Sequence, residues 1–410
     1  MMSLRVADAC PGFLKPRQAH SFFSPNMSKT ACARAAFAAV LSFLFSCGPS
    51  ENTAAVLAQT PELSPPRWDL LPGMPPYPEP NDIYSGGRPG LLSPAVRGFP
   101  SRIYVPLNAA NRVDVIDPET FRVIDSIPTD REPQHVTPSW DLKTLYAGND
   151  RGNTLTAIDP ATGKKTGTLP VDDPYNLYFT PDGQFAIAVA ERLRRLDFRN
   201  PATMEIVEKV PVPCRGVDHI DFSADGRYLI ATCEFSGELI KVDVASRKVL
   251  GKLALPDGGM PQDIKLSPDG KIFYVADMEN NGMHVIDGDS FRVLRFIETG
   301  RGCHGLYVSR DSKNLYISNR GEGSVSVMEF ATETLIAKWK LPGGGSPDMG
   351  GVSADGKTLW LSGRYHREVY AIDTATGELR GRVKVGRGPH GLCVYPQPGR
   401  YSLGHTGILR

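Results

Sequence analysis

The chain has 410 residues, and its 46 Lys and Arg against 45 Asp and Glu give a formal net charge of +1. This balance excludes a typical nucleic-acid-binding protein, which carries a basic excess. The 41 Gly and 35 Pro indicate many turns and few long helices. The seven Cys include no CxxC pair of the kind found in zinc ribbons and haem-attachment sites.

Residues 1–58 are predicted to be an upstream leader followed by a signal peptide, with Met27 as the expected start. Basic residues after Met27 precede an apolar run at 35–45, which is too short to span a bilayer and is typical of a secretory signal. Two processing sites compete, a lipobox-like Leu-Phe-Ser-Cys that ends at Cys47 and a small-residue site at 56–58. Either site predicts an extracytoplasmic protein, secreted or lipid-anchored to the cell surface through Cys47.

A Pro-rich segment without clear periodicity, residues 59–100, comes next. Such a composition predicts either a spacer from the membrane or a strap that runs along the surface of the following domain. Trp68, Leu70 and Leu71 indicate that part of the segment docks. No membrane contact other than the lipid anchor is predicted, and the protein is expected to be a monomer.

A four-part repeat fills the rest of the chain, and its most regular copy is residues 260–300. This copy divides into four short runs rich in Val, Ile, Phe and Tyr, separated by Pro-Asp-Gly, Asn-Asn-Gly and Gly-Asp-Ser turns. Runs of this kind predict β-strands. Four strands joined by tight turns form one antiparallel sheet with two open edges, which is stable only beside neighbours.

The residue at the first turn recurs at intervals of 41 to 44 residues, which with four strands per copy predicts a β-propeller. The positions are Asp141, Asp182, Asp225, Asp269, Asp311, Asp355 and, in altered form, Gln397. Seven inner strands and seven sets of three outer strands can be counted. The first outer set and the last inner strand, 391–395, have no partner in their own copy, and pairing them closes the ring. The prediction is an all-β, seven-bladed propeller over residues 101–410.

Copies such as SPDGKIFYVAD and SRDSKNLYISN, with the recurring VID, resemble the YVTN-type β-propeller repeats of secreted and surface proteins. The resemblance covers about residues 101–395 and implies the propeller fold. It implies no single activity, because this fold hosts lactonases, copper and haem redox enzymes, and binding modules.

Four of the eight His fall in one two-residue window of the repeat, six or seven residues before the turn residue. A propeller brings these positions around its central axis, where Asp218 and two further acids also fall. Imidazole and carboxylate groups that converge suit copper, zinc or iron. The predicted ligands of one transition-metal ion are His135, His219, His304, His390, Asp263 and Asp348. One interpretation is therefore a metal-dependent, redox-type enzyme.

Arginine positions support a second interpretation, a lactonase-like hydrolase or isomerase that acts on an anionic small molecule. Guanidinium groups hold carboxylates and phosphates through bidentate bonds. The candidates are Arg131, Arg215, Arg301 and Arg387, ten residues before the turn residue, and Arg320 and Arg364 from the loops between second and third strands. Those loops also supply the candidate catalytic groups Glu234 and Asp277.

A third interpretation is a non-catalytic propeller that binds a small molecule or a protein on its top face, the face on which these loops meet. Its polar residues then line a water-filled mouth of the central channel.

Three cysteines have positions that suggest a role. Cys214 and Cys233 fall on the same face of adjoining segments and could form a disulfide in an oxidising compartment. Cys303 is either a thiolate ligand beside His304 or, as is more common, a small buried filler. The repeat gives no position to His405, beyond the closing blade.

Overall fold

The computed structural model describes residues 68–410, so the predicted signal segment, both processing sites and Cys47 lie outside the described residues. Within residues 68–410 the regular structure is β-strand apart from three short 3-10 turns, Ser85–Gly87, Pro94–Val96 and Asp150–Gly152. This part of the chain contains no helix that is long and apolar enough to cross a membrane.

Twenty-eight strands over the described residues form seven four-stranded antiparallel sheets, which confirms the predicted seven-bladed β-propeller. The inner strands are β4 (Pro133–Pro138), β8 (Pro174–Phe179), β12 (Val217–Phe222), β16 (Pro261–Leu266), β20 (Cys303–Val308), β24 (Pro347–Val352) and β28 (Cys393–Tyr395). The second strands are β1 (Arg102–Leu107), β5 (Leu145–Asn149), β9 (Ala186–Ala190), β13 (Tyr228–Cys233), β17 (Ile272–Asp277), β21 (Asn314–Asn319) and β25 (Thr358–Gly363).

The third strands are β2 (Arg112–Asp117), β6 (Thr154–Asp159), β10 (Arg195–Arg199), β14 (Glu238–Asp243), β18 (Gly282–Asp287), β22 (Ser324–Glu329) and β26 (Glu368–Asp373). The outer strands are β3 (Arg122–Pro128), β7 (Lys164–Pro170), β11 (Ile206–Pro211), β15 (Lys248–Ala254), β19 (Arg292–Glu298), β23 (Thr334–Lys340) and β27 (Leu379–Lys384). Blade 1 combines β28 with β1–β3, and blades 2 to 7 follow in chain order from β4–β7 to β24–β27.

The ring closes in blade 1, as the strand count predicts, because β28 pairs with β1 and places Ile103 opposite Val394. The β28 strand begins later than the predicted run at 391–395. The reason is that the backbone just before β28 bonds to two neighbouring strands, with His390 N donating to Pro106 O and Gly391 N to Gln134 O. These bonds hold the backbone at His390 and Gly391 beside β4, the inner strand of blade 2.

The first turn of six of the seven copies is built from a Ser or Thr two residues before an Asp. In blade 5, Ser267 donates its hydroxyl to Asp269 at 2.6 Å, and Asp269 accepts the backbone N–H of Lys271 at 3.3 Å. The same hydroxyl-to-carboxylate bond joins Ser139 to Asp141, Thr180 to Asp182, Ser223 to Asp225, Ser309 to Asp311 and Ser353 to Asp355. These local bonds favour the turn, which explains why its residues recur.

Burial increases from the outside of each blade to the axis. The outer strand β15 alternates between exposed and half-buried residues, whereas every residue of the inner strands β12 and β16 is buried. The inner strands of successive blades lie side by side around the axis. Polar side chains on them are therefore held in a water-poor interior.

The face that carries the first turns is covered by two segments. The strap, residues 68–100, is fixed by bonds from Tyr77 Oη to Ala224 O at 2.8 Å and from Tyr84 Oη to Leu266 O at 2.7 Å. The tail, residues 396–410, crosses the same face, and its His405 N donates to Leu177 O at 2.8 Å. The tail thus brings a histidine to inner strand β8.

Candidate functional site

Two loop families meet on the opposite face, the top face. In six blades the loop between the second and third strands donates a backbone N–H to the loop that enters the inner strand. The pairs are Asn108 to Gly388, Asp150 to Glu132, Glu234 to Gly216, Met278 to Met260, Arg320 to Gly302 and Arg364 to Ser346. These bonds hold side chains from both families around the channel mouth.

Below this mouth, a first cluster consists of His304, Asp348 and His390, called the His304 group. All three are buried, and each offers a ligand atom within 4.8 Å of the other two. His390 Nδ1 lies 3.0 Å from Gln134 Oε1, an acceptor, so Nδ1 carries the proton and Nε2 keeps a lone pair. That Nε2 lies 3.7 Å from Asp348 Oδ2, a buried oxygen with no hydrogen-bond partner.

The other oxygen of Asp348 is occupied. Arg320 Nη1 donates to Asp348 Oδ1 at 3.0 Å, which fixes the carboxylate and leaves Oδ2 directed at His390. His304 Nδ1 lies 3.2 Å from Asp348 Oδ1 and 3.1 Å from the Met349 sulfur. The group therefore combines imidazole and carboxylate donors with a nearby thioether.

A second cluster consists of His135, His219 and His405, called the His135 group. Their ligand nitrogens also lie within 4.8 Å of one another. The Nε2 atom of each ring is buried and has no hydrogen-bond partner. His135 Nδ1 lies 2.9 Å from Tyr175 O, which places the proton on Nδ1 and the lone pair on Nε2.

The two groups are neighbours because the backbone of Gly391 lies against His135. A Cβ at Gly391 would be 2.0 Å from the His135 ring, so only glycine fits there. The rings of His135 and His390 consequently approach to 4.7 Å between centroids. Five histidines and one aspartate thus form a continuous buried set on the axis.

Burial keeps these five imidazoles neutral. It lowers the pKa of His135 to about 4, and it holds the pKa of His219, His304, His390 and His405 well below the ordinary value. A metal binds the neutral form of histidine, so at pH 7 no proton has to leave before a ligand nitrogen can coordinate.

Two acids predicted to act at the site instead bind the backbone. Asp263 accepts Ile264 N at one oxygen and Leu306 N, in the next blade, at the other. Asp277 accepts the backbone N–H groups of Met260, Glu279 and Asn280 and lies 2.9 Å from His284 Nε2. Both carboxylates act as structural acceptors in this arrangement.

The predicted arginines divide into two sets. Arg131, Arg215, Arg301 and Arg387 are exposed, and three of them donate to carbonyl oxygens of the top-face loops, those of Arg151, Phe235 and Ala109. Arg320 and Arg364 instead reach the axis from the mouth, where their positive charges help lower the pKa of His304 and His390. The Nη1 atom of Arg364 is buried and has no partner.

Carboxyl groups occupy the other side of the mouth. Burial, reinforced by the charges of Glu234 and Asp150, raises the pKa of Glu191 to about 8. Burial also raises the pKa of Glu234, although its bond with Gln262 and the charge of Arg320 oppose this shift. Asp218, whose two oxygens have no hydrogen-bond partner, has a pKa well above its ordinary value for the same primary reason, burial. The mouth can therefore hold and release protons near neutral pH.

We expect Glu191→Gln to stabilise the protein at pH 8 but not at pH 5. The folded pKa of Glu191 lies above the unfolded value, so the folded state binds the extra proton and loses stability as pH rises from about 4.5 to about 8. Discounted for partial exposure, the gain at pH 8 is about 1 kcal/mol. Thermal unfolding at both pH values, with exposed Glu119→Gln as the control, tests this. An equal effect at both pH values would contradict it.

Cys214 and Cys233 form a disulfide with a Cα–Cα distance of 6.1 Å, and it ties the loop before β12 to the end of β13 beside the mouth. Cys303 is a buried free thiol, and burial raises its pKa to about 12. The thiol therefore stays protonated at neutral pH, and Cys303 acts as a packing residue of β20.

The described residues define a seven-bladed β-propeller with a buried set of His and Asp side chains on its axis. The family model of the YncE-like β-propellers matches residues 95–399, and the chain belongs to this family. YncE of Salmonella typhi is 25% identical over 261 residues, which span 60% of this chain and 73% of that protein. YncE of Escherichia coli K12 is 24% identical over 274 residues with the same coverage.

Solved structures with the same fold include hydrazine synthase of Kuenenia stuttgartiensis (TM-score 0.58, 18% identity, 65% of this chain and 91% of that chain). They also include the dihydro-heme d1 dehydrogenase NirN in complex with DHE (TM-score 0.56, 16% identity, 74% and 76%). A putative 6-phosphogluconolactonase of Bacteroides uniformis is similarly close (TM-score 0.58, 17% identity, 72% and 99%). At these identities the likeness is one of fold alone.

Proposed function

We propose that the chain is an extracytoplasmic metal-dependent enzyme of redox type, in which the His304 group binds one copper, zinc or iron ion. The observation that carries this proposal is the pair of facing acceptors at its centre, His390 Nε2 and Asp348 Oδ2, which lie 3.7 Å apart. Both are buried, and because the proton of His390 is on Nδ1, the ring nitrogen that faces the carboxylate offers only a lone pair.

A cation bound between these two acceptors explains their arrangement better than the lactonase-like or the binding-propeller interpretation does. A buried carboxylate oxygen without a partner is unfavourable, and Arg320 satisfies only the other oxygen of Asp348. Gln134 and Arg320 hold the imidazole and the carboxylate in the orientation that metal ligands require, as outer partners commonly do. Imidazole donors favour zinc, copper and iron, and the sulfur of Met349 would suit copper.

A bound ion would be held by His304, Asp348 and His390 and would supply Lewis-acid or electron-transfer chemistry. The side chains at the mouth above the His304 group have separate roles. Glu191 and Glu234 have raised pKa values and can transfer protons. Arg364, with its unpartnered Nη1, can hold an anionic substrate group.

Two observations support a location outside the cytoplasm. The basic and apolar pattern after Met27 is typical of an export signal. The disulfide between Cys214 and Cys233 is stable in oxidising compartments and rare in the cytosol.

Metal titration of the exported, tag-free protein tests the proposal. We expect the wild type to bind Cu²⁺ or Zn²⁺ at stoichiometric amounts below micromolar concentration. His390→Ala removes a ligand and should weaken binding at the His304 group by 100-fold or more, beyond the roughly 10–100-fold of an outer-partner change. His366→Ala is the matched control, because His366 is exposed and its ring bonds to the Ser346 hydroxyl, outside both histidine groups.

Protein that binds none of the three metals at micromolar concentration would contradict the proposal. If such metal-free protein hydrolysed lactones and lost that activity in Arg364→Ala, the lactonase-like interpretation would take its place. Metal-free protein without turnover on lactones would leave a binding propeller whose top face takes a small molecule or a protein.

A further inference from the structure

We propose that the His135 group binds a second transition-metal ion beside the His304 group, so that the axis of the propeller holds a two-metal centre. This inference rests on the proposed function only for the first ion. The second site, the His135 group, includes one ligand from outside the seven-fold repeat, His405 of the tail.

The first support is the convergence of three buried ring nitrogens. His135, His219 and His405 have exposed fractions of 1%, 0% and 1%, and the Nε2 atom of each has no hydrogen-bond partner. Their ligand atoms lie within 4.8 Å of one another, a spacing that a single ion bound to all three would produce. Two nitrogens without a partner, Nε2 of His135 and Nε2 of His405, are unusual in one place, because buried polar side-chain atoms are normally satisfied; Nε2 of His219 has Asp218 Oδ1 at 3.1 Å.

The second support is the charge around these nitrogens. Asp218 Oδ1 lies 3.1 Å from His219 Nε2, and both oxygens of Asp218 are buried without a hydrogen-bond partner. Asp263 Oδ1 lies 3.8 Å from His405 Nε2. Three neutral imidazoles suit a divalent ion, with Asp218 in reach as a fourth ligand, while the charge of Asp263 is shared with Lys265, whose Nζ lies 3.8 Å from the same oxygen.

Binding through Nε2 requires the proton of each ring on Nδ1, an arrangement that His135 already has and that His219 and His405 do not. His135 Nδ1 already bonds to a backbone carbonyl oxygen. The Nδ1 atoms of His219 and His405 instead lie 3.3 and 3.2 Å from Nδ2 of Asn176, a donor, so both rings carry their proton on Nε2. When both rings bind metal through Nε2, each Nδ1 carries a proton. Asn176 must then turn its amide oxygen towards them and give up the bond in which that oxygen accepts Leu177 N–H at 3.0 Å. Asn176 is thus assigned as the positioning residue of the second site.

The third support is the closeness of the two groups. The rings of His135 and His390, one from each group, have centroids 4.7 Å apart, and that of His135 lies 5.5 Å from that of His219. Ions held by the two groups would be near enough for two Cu²⁺ spins to interact.

The test is copper titration followed by elemental analysis and electron paramagnetic resonance. The wild type is expected to bind two Cu²⁺ and to give a spin-coupled spectrum at two equivalents. His405→Ala and His135→Gln should each bind one, with a spectrum of isolated Cu²⁺, and the double variant His405→Ala/His390→Ala should bind none. His366→Ala, outside both groups, should bind two, and circular dichroism verifies that each variant is folded.

Each result decides between the two proposals. A wild type that binds one ion, kept by His405→Ala and His135→Gln but lost by His390→Ala, overturns the second site and leaves the first. Two ions bound by both His405→Ala and His135→Gln would also overturn it. A wild type that binds no copper, zinc or iron overturns both.

Discussion

Replacing Arg410 by Met is expected to lower the free energy of unfolding by about 3–5 kcal/mol, the cost of leaving one charge of a buried pair without its partner. Arg410 is 1% exposed, and its guanidinium donates to Asp221 Oδ1 at 2.8 Å. Burial by itself would lower the pKa of Arg410, but the charge of Asp221 overcomes this and raises it. Methionine keeps most of the packing volume and removes only the charge and its bonds.

The ion pair of Arg410 and Asp221 also connects the tail with the inner strands of the blades and with the strap. Asp221 accepts the backbone N–H of Leu266 in the next blade at 2.8 Å, and Arg410 lies over the Tyr84 ring of the strap at 4.9 Å. Urea unfolding measures the effect, and Arg97→Met, an exposed arginine of the strap, is the control, with a change expected within about 0.5 kcal/mol. A loss below about 1 kcal/mol in Arg410→Met would contradict the assignment of Arg410 as the anchor of the tail.

The second large effect is expected from the disulfide. Replacing Cys214 and Cys233 together by Ala should lower the free energy of unfolding by about 3 kcal/mol, because a cross-link over 19 residues restricts the unfolded chain. The measurement is urea unfolding of the wild type and the double variant, each with and without reductant. Reductant should destabilise the wild type by a similar amount and leave the variant unchanged. A wild type that is insensitive to reductant under unfolding conditions would contradict the prediction.

Much of the fold can be predicted from the sequence because its signals are local. The turn at Ser267 and Asp269 is stabilised by bonds within five residues, so its residue types recur wherever the turn does. Counting the strands then predicts how the ring closes. The edges of β1 and β28 have no partner in their own copies, so the two strands pair with each other. Histidines placed at one position of the repeat must lie near the axis, as His135 and His390 do.

The rest of the site depends on contacts that repeat position does not encode. His405 lies in the tail, which follows the last repeat, so no alignment of copies assigns it to the axis. Asp263 occupies the same repeat position as His135, yet its oxygens are taken by backbone amides of its own and the next blade. Arg301 and the three other arginines of its position are exposed, and three of the four donate to carbonyl oxygens of the top-face loops. Trp68, Leu70 and Leu71 indicate that the strap docks, but without periodicity the sequence does not show which face it covers.

Anomalous X-ray diffraction from crystals of the metal-loaded protein, recorded at the absorption edge of the bound metal, tests the central claim most directly. The account predicts a strong peak on the propeller axis about 2.0–2.2 Å from His390 Nε2 and Asp348 Oδ2. A second peak among His135, His219 and His405 would support the two-metal centre. Loaded crystals that show metal only at exposed sites such as His366, with no peak on the axis, would contradict it.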